Sequence, residues 1–408
     1  RYVGDSVAAV VAEDPYIAAD ALDLIEVDYE VLEATIGAKA TTENGKPLVH
    51  DEIENNISFK WGLGDREACD KAFEEADHVV KLDLINQRLI PNAMEPRACA
   101  AQWTAATENM TVWTTSQNPH IIRFGLSAVT LPMLDEHKLR VISPDVGGGF
   151  GSKIFHYPEE VIVPWIAKKI NRPCKWIATR SESFMTDSQG RDHVQNCKMA
   201  LKSDGTITGN YVEIHADMGA YLSTIAPLIP AVICITLFSG LYKNPGIWGE
   251  TTGTLTNTVP VDAYRGAGRP EASFLVERLV DIAAQELKMD PIEIRRKNFI
   301  GKDEFPYQTP VAFLYDSGDY HAMFDKLEKN ADYKGMRAAQ HKAKEDGRLV
   351  GIGVCGCVEA SGYGPAATVG ALGFYGGMWE HGAIRVHPTG KVSVFTGSQS
   401  TGQGHETT

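Results

Sequence analysis

The densest concentration of chemically useful residues is Asp145-Val146-Gly147-Gly148-Gly149-Phe150-Gly151-Ser152-Lys153. Adjacent glycines let peptide N–H groups approach a bulky ligand with no side chain between. A helix expected to begin near His156 adds the partial positive charge of its N-terminus, which suits a phosphate or a pterin-like ligand. A tight strand-to-helix turn is the alternative for the same run. Ser152 excludes two phosphate motifs. It stands where a Walker A loop has glycine before its lysine, and where a dinucleotide fingerprint has its third glycine.

Three other places carry comparable chemistry. In Asp262-Ala263-Tyr264-Arg265-Gly266-Ala267-Gly268-Arg269-Pro270-Glu271, two arginines flank glycines, either to fork onto an oxyanion or to pair with nearby carboxylates. In Thr401-Gly402-Gln403-Gly404-His405-Glu406-Thr407, Gln403 offers donors and an acceptor at one point, as a heterocycle with amide-like edges requires. His405-Glu406 also matches the start of a metalloprotease H-E-x-x-H, but glycine precedes it where that motif needs helix. Gln117, in Ser116-Gln117-Asn118-Pro119-His120, ends a strand as a turn former or as a ligand contact. Val112 to Gln117 and Val394 to Gln399 align as a six-residue repeat, read as chance or as a duplicated half-domain.

The elements that must position these residues follow from periodicity. Asp14-Pro15 opens a helix carrying Ile17, Ala21, Leu24 and Ile25, between strands at Val7–Val11 and Val27–Leu32. Thr41 to Asn56 reads as a linker with turn signals at Asn44-Gly45 and Lys46-Pro47. Alternating strands follow at Val79–Leu84, Thr111–Thr114 and Leu139–Ile142, with helices over about 156–170 and 271–287. A Lys/Glu/Ala-rich helical stretch, Lys326 to Arg348, precedes a Gly-rich run from Gly351 to Gly382.

Composition narrows the classes. With 39 Lys+Arg against 53 Asp+Glu the net charge is −14, so most of the surface should repel nucleic-acid backbones. Hydrophobic content of 43% supports packed cores rather than disorder. The longest apolar stretch, Ile225 to Tyr242, contains Pro227 and Pro230 and is too short to span a bilayer, so it reads as buried core. The seven cysteines include no C-x-x-C pair and point to no disulfide framework, zinc site or iron–sulfur site, which fits a cytoplasmic location. The chain opens at Arg1 and stops at Thr408, and it is expected to be a fragment of a longer polypeptide.

In this order, Arg1 to Asp5, Ser116 to His120, Gly147 to Lys153, Ala263 to Arg269 and Gly402 to Thr407 resemble the molybdenum hydroxylase large subunits. That family includes xanthine dehydrogenase, aldehyde oxidase and, nearest here, the aerobic carbon monoxide dehydrogenase-like large chain. The resemblance implies an α+β fold: the end of an α/β-hammerhead-like domain over residues 1–55, a first molybdopterin-binding subdomain over 56–325, and the start of a similar second one over 326–408. It implies a molybdopterin, as the cytosine dinucleotide in the bacterial branch, whose dithiolene holds the molybdenum without protein ligands. Gln117, Phe150 and Arg265 would be the catalytic residues. Gln117, Gly148, Gly149, Phe150, Gly151, Arg265, Gly402, Gln403, Gly404 and His405 would bind the cofactor.

The implied reaction is hydroxylation of an aldehyde or N-heterocycle with water as oxygen source. Electrons would leave through an iron–sulfur small subunit and a flavin (FAD) medium subunit in a dimer of heterotrimers. The family's glutamate base would lie beyond residue 408. Two departures bear on substrate. Carbon monoxide dehydrogenases carry a copper-binding cysteine where this chain has Gly266, and xanthine dehydrogenases carry a purine-binding glutamate where it has Ile154. Carbon monoxide oxidation, or a pterin-binding or assembly role without turnover, are the alternatives.

Overall fold

The computed structural model describes residues 1–130, 134–223, 225–362, 366–371 and 380–407. The Gly-rich run from Gly351 to Gly382 lies partly outside them.

Two sheets are built from β1 (Ile57–Gly64), β2 (His78–Asn86), β3 (Ala98–Thr104), β4 (Asn109–Thr114), β5 (Leu139–Ile142), β6 (Cys174–Ile177), β7 (His193–Leu201), β8 (Ile207–Asp217) and β9 (Gly246–Thr254). A short ladder, β10 (Tyr307–Gln308) with β11 (Leu314–Tyr315), and a hairpin, β12 (Ala383–Val386) with β13 (Val392–Phe395), follow. Among the described residues the α-helices are α1 (Pro15–Leu22), α2 (Arg66–Glu74), α3 (Pro119–Phe124), α4 (Glu159–Ile170), α5 (Arg180–Thr186), α6 (Arg269–Glu286), α7 (Pro291–Asn298), α8 (Tyr320–Ala331), α9 (Tyr333–Glu345) and α10 (Ala366–Ala371). Among the described residues no helix is long and apolar enough to cross a membrane.

The larger sheet has the order β1-β9-β8-β7-β2, with β8 and β9 parallel and the other neighbours antiparallel. In β8 the side chains of Val212, Ile214 and Ala216 turn inward at alternate positions, the period-two signature of a half-buried strand. They share one core with the apolar face of α6, where Ala272, Leu275, Val276, Leu279, Val280 and Ala283 recur at helical spacing. The stretch from Ile225 to Tyr242 packs into this core through Ile235, Phe238, Leu241 and Tyr242.

The smaller sheet has the order β5-β4-β3-β6. A second core lies on it, where Cys99, Ala101, Met110 and Val112 meet Ile122 of α3 and Val163 and Ala167 of α4. Within this sheet β4 and β5 are parallel neighbours, so their C-terminal ends open on the same edge. Ligands of open α/β sheets gather beyond such carboxyl ends.

Two sequence expectations fail near the N-terminus. Asp14 caps α1 by accepting from the Tyr16 and Ile17 N–H groups at 2.8 and 3.0 Å, yet the flanking runs Val7–Val11 and Val27–Leu32 form no ladder. Extended sequence becomes strand only beside a partner that takes its peptide hydrogen bonds. Thr41 to Asn56 is no free linker either. Asn56 is fully buried; its Nδ2 donates to Pro47 O at 2.9 Å and Thr41 O at 3.2 Å, and its Oδ1 accepts from Val49 N at 2.8 Å. Thr41 and Asn56, at the two ends of that stretch, are internal hydrogen-bonding groups.

Candidate functional site

The site is assembled from loops that leave the shared edge of β4 and β5. β4 runs into Ser116 and Gln117, and β5 runs into the loop 143–153. Gln117 N donates to Lys153 O at 2.9 Å, while its side-chain Oε1 accepts from Gly151 N at 2.9 Å and Lys153 N at 3.3 Å. Glycine is required where this clamp closes. A Cβ on Gly149 would stand 2.4 Å from Gln117 Oε1, inside van der Waals contact.

The second loop joins through its backbone. Arg265 N donates to Phe150 O at 3.0 Å, and a Cβ on Gly151, whose φ is +107°, would stand 2.0 Å from Ala263 O. Phe150 adopts φ +54° and remains exposed. Gly266, with φ +100°, presses on Pro270: a Cβ there would stand 2.4 Å from Cγ of that ring.

The third loop follows the β12–β13 hairpin. Val146 N donates to Ser400 O at 3.3 Å, and a Cβ on Gly402 would stand 3.6 Å from Gly148 N. Gln399 Nε2 donates to Ser116 O and, at 2.6 Å, to Ser143 Oγ. Both halves of the six-residue repeat therefore follow antiparallel hairpins, β3–β4 and β12–β13, and their ends touch. Gln403 bonds within the same loop. Its Oε1 accepts from Thr401 N and Oγ1 and its Nε2 donates to Gln399 O at 3.1 Å, so the amide is largely committed to its own loop. Gly404 and His405 continue that loop, with His405 exposed.

Whether these residues suit a large cofactor is answered by what they leave uncovered. No described residue accepts from the Gly149 or Phe150 N–H, although Gly149 is buried. The Arg265 guanidinium is exposed and has no hydrogen-bonding or ionic partner among the described residues. Consecutive peptide donors, an amide and a guanidinium suit a polar heterocycle bearing phosphates. Among the described residues no group of three or more His, Cys, Asp or Glu side chains is placed to hold a metal ion.

Two supporting residues, Glu95 and Arg191, went unread in the sequence. Glu95 Oε2 accepts from Gly147 N at 2.8 Å and from the buried Lys153 Nζ at 2.9 Å, tying the two ends of the glycine loop together. Arg191 donates to Tyr264 O at 3.1 Å and Arg265 O at 3.0 Å while pairing with the fully buried Glu271 at 3.1 Å. Glu271 in turn accepts the Gly268 N–H at 2.8 Å, capping α6. Asp262 lay within a motif, but its role was not legible. It is buried, accepts from Ala263 N at 2.6 Å and from the Ser223 hydroxyl, and burial pushes its carboxyl up to about 6.

That shift has a signed consequence. An acid held above its ordinary value favours the folded state while protonated. Its contribution is complete below about pH 4 and is lost as pH rises through about 6. The loss amounts to about 3 kcal/mol. Asp262→Asn should therefore gain stability relative to the parent between pH 4 and 7, by up to about 3 kcal/mol. Denaturant midpoints measured across that range would show a constant difference if Asp262 did not titrate there.

The chain matches the family model described as a molybdopterin cofactor-binding domain over residues 49–299, and a second model of the same description over 326–408. The chain belongs to the molybdopterin cofactor-binding domain family. It is 36% identical to the carbon monoxide dehydrogenase large chain of Hydrogenophaga pseudoflava, over 98% of this chain and 52% of that one. It is 32% identical to the nicotine 6-hydroxylase large subunit of Paenarthrobacter nicotinovorans, over 100% of this chain and 49% of that one. Among solved structures, quinoline 2-oxidoreductase from Pseudomonas putida 86 superposes with a TM-score of 0.90 at 30% identity, covering 97% of this chain and 50% of that one. A copper- and molybdenum-containing carbon monoxide dehydrogenase gives the same TM-score at 33% identity, covering 97% and 52%. The chain spans about half the length of these relatives.

Proposed function

We propose that this chain is the cofactor-holding part of the large subunit of a molybdenum hydroxylase. It would hydroxylate an aldehyde or N-heterocycle with oxygen from water and pass electrons to iron–sulfur and flavin (FAD) subunits. The observation that carries the reading is the meeting of Gln117, the 148–151 loop, Arg265 and Gly402 around unpaired peptide donors. The finer parts follow the family resemblance. They are the cytosine dinucleotide form, a dimer of heterotrimers in the cytoplasm, a hammerhead-like segment over 1–55, and subdomains over 56–325 and 326–408.

When bound, molybdopterin supplies a redox-active metal held by its own sulfurs. The chain's part is positioning. Because two backbone N–H groups occupy Gln117 Oε1, the Nε2 end is the one left to donate toward an oxygen in the site. Phe150, on a strained backbone and exposed, offers an apolar face beside that donor. Arg265, fixed through its own N–H to Phe150 O, offers the positive charge. The Gly149 and Phe150 N–H groups are directed donors for the pterin or its phosphate.

Gly266 bears on the substrate. It has no side chain with which to hold copper, and its positive φ and the Pro270 ring 2.4 Å from a Cβ would strain a cysteine there, which supports organic substrates over carbon monoxide. Gln117→Glu keeps the acceptor for Gly151 and Lys153 but removes the Nε2 donor. In the full-length complex kcat should fall about tenfold to a hundredfold, the worth of one hydrogen bond to a charged partner, with molybdenum retained. Unchanged kcat would remove Gln117 from the site.

A further inference from the structure

A closed circuit of hydrogen bonds passes through the acceptor end of Gln117, and its far side is the short stretch Ser188 to Arg191. A peptide unit is planar, so holding its carbonyl fixes the direction of the N–H on the next residue. On one arm Arg191 donates to Tyr264 O at 3.1 Å, and the N–H of that same unit, on Arg265, donates to Phe150 O at 3.0 Å. The Phe150 unit ends in the Gly151 N–H, which donates to Gln117 Oε1 at 2.9 Å. On the other arm the Tyr157 hydroxyl donates to Ser152 O, and the N–H of that unit, on Lys153, donates to the same Oε1 at 3.3 Å. The Ser188 N–H donates to the Tyr157 oxygen at 2.8 Å and closes the circuit.

The far side is held independently of the site. Gly190 and Leu89 exchange N–H···O bonds of 2.8 and 3.0 Å, and Gln189 N donates to Pro260 O at 3.0 Å. A Cβ on Gly190 would stand 2.4 Å from Tyr264 Cβ, so this stretch is packed directly on the loop that carries Arg265. Tyr157 is buried beneath the Arg97 guanidinium, whose Cζ lies 3.6 Å from the ring centre. Arg97 is itself fixed by Asp187 at 2.6 Å and Glu159 at 3.0 Å. Burial raises the Tyr157 phenol above its ordinary value, so its proton stays in place to donate. Ser188 Oγ, at 3.2 Å, is a longer second acceptor for it. Because Gln117 Oε1 accepts from both arms, the plane of the amide, and with it the direction of Nε2, is set by the two arms together.

We propose that Tyr157 is a positioning residue for the reaction proposed above, aiming the Nε2 donor of Gln117 through the Ser152–Lys153 peptide. The inference takes its purpose from that reading, but the circuit is tested apart from turnover. Tyr157→Phe keeps the ring under Arg97 and removes the hydroxyl. In the full-length complex, amide hydrogen exchange over residues 147–153 should quicken about tenfold, the worth of one hydrogen bond, whether or not the complex carries molybdenum. In the molybdenum-loaded complex kcat should fall about tenfold with KM held within about twofold. With Gln117→Glu already in place, the same change should alter kcat by less than about twofold, because the donor it aims is gone. Tyr242→Phe is the control. It removes another buried phenol's bond, to Glu277 at 2.5 Å and outside the circuit, and should leave exchange over 147–153 and kcat unchanged. If Tyr157→Phe does not fold, Asp187→Asn, which loosens Arg97 over the ring, is read in the same way, with changes of about threefold. Unchanged exchange overturns the proposal, as do equal losses of kcat in both backgrounds or equal effects of Tyr242→Phe. Molybdenum missing from molybdate-grown complex overturns only the hydroxylase reading, and exchange then decides the circuit.

Discussion

Gly151→Ala should destabilise the chain by about 4 kcal/mol and abolish cofactor retention. Two effects add. A φ of +107° is strained for any residue with a Cβ, worth about 1–3 kcal/mol. The new carbon would also stand 2.0 Å from Ala263 O, a backbone atom that cannot rotate away, and such overpacking costs about 1–3 kcal/mol. Relief requires the 147–153 and 263–268 loops to part, which breaks the bond from Arg265 N to Phe150 O. Gly45→Ala is the control, because it has φ +82° with nothing within 4 Å of its Cβ. Only the strain, about 1 kcal/mol, should appear there. Denaturant midpoints and molybdenum content of both variants are the measurements. Equal midpoint shifts would show that the loops are not in contact.

Arg191→Met should cost about 3–5 kcal/mol, because it strands the Glu271 carboxylate without a charged partner where that side chain is fully buried. It also leaves the Tyr264 and Arg265 carbonyls without their donor, so the loop carrying Arg265 should loosen as well. Adding Glu271→Gln removes the stranded charge while keeping an acceptor for Gly268 N–H. The double variant should be more stable than Arg191→Met alone, and a cycle of the four proteins reads the coupling directly. Additive losses would mean that Arg191 and Glu271 do not act as a pair.

The glycine loop, the 263–269 motif and Gln117 were legible because glycine and proline mark backbone departures locally, and those departures are where the site is built. Their convergence was not legible. It depends on β4 and β5 being parallel neighbours and on the third loop crossing to Gly148, which are pairings between residues far apart in sequence. Glu95 and Arg191 gave no signal for the same reason. A single Glu before a proline, or one Arg after a glycine, carries no pattern; the importance of each comes from the partner it meets. The bonds of the Gln403 amide within its own loop gave no signal, because a side chain between two glycines looks free, whereas the turn at 399–403 closes on it. At the N-terminus the periodicity of Val27 to Leu32 was real, but periodicity describes a face, and a strand also needs a neighbour.

The central claim is that loops poor in side chains meet to hold a molybdenum-bearing pterin through peptide groups. It is tested most directly by elemental analysis of the full-length large subunit purified with its partners from molybdate-grown cells. Molybdenum stoichiometric with the chain, and copper far below it, is the expected result. A folded complex free of molybdenum from a host competent to make the cofactor would contradict it.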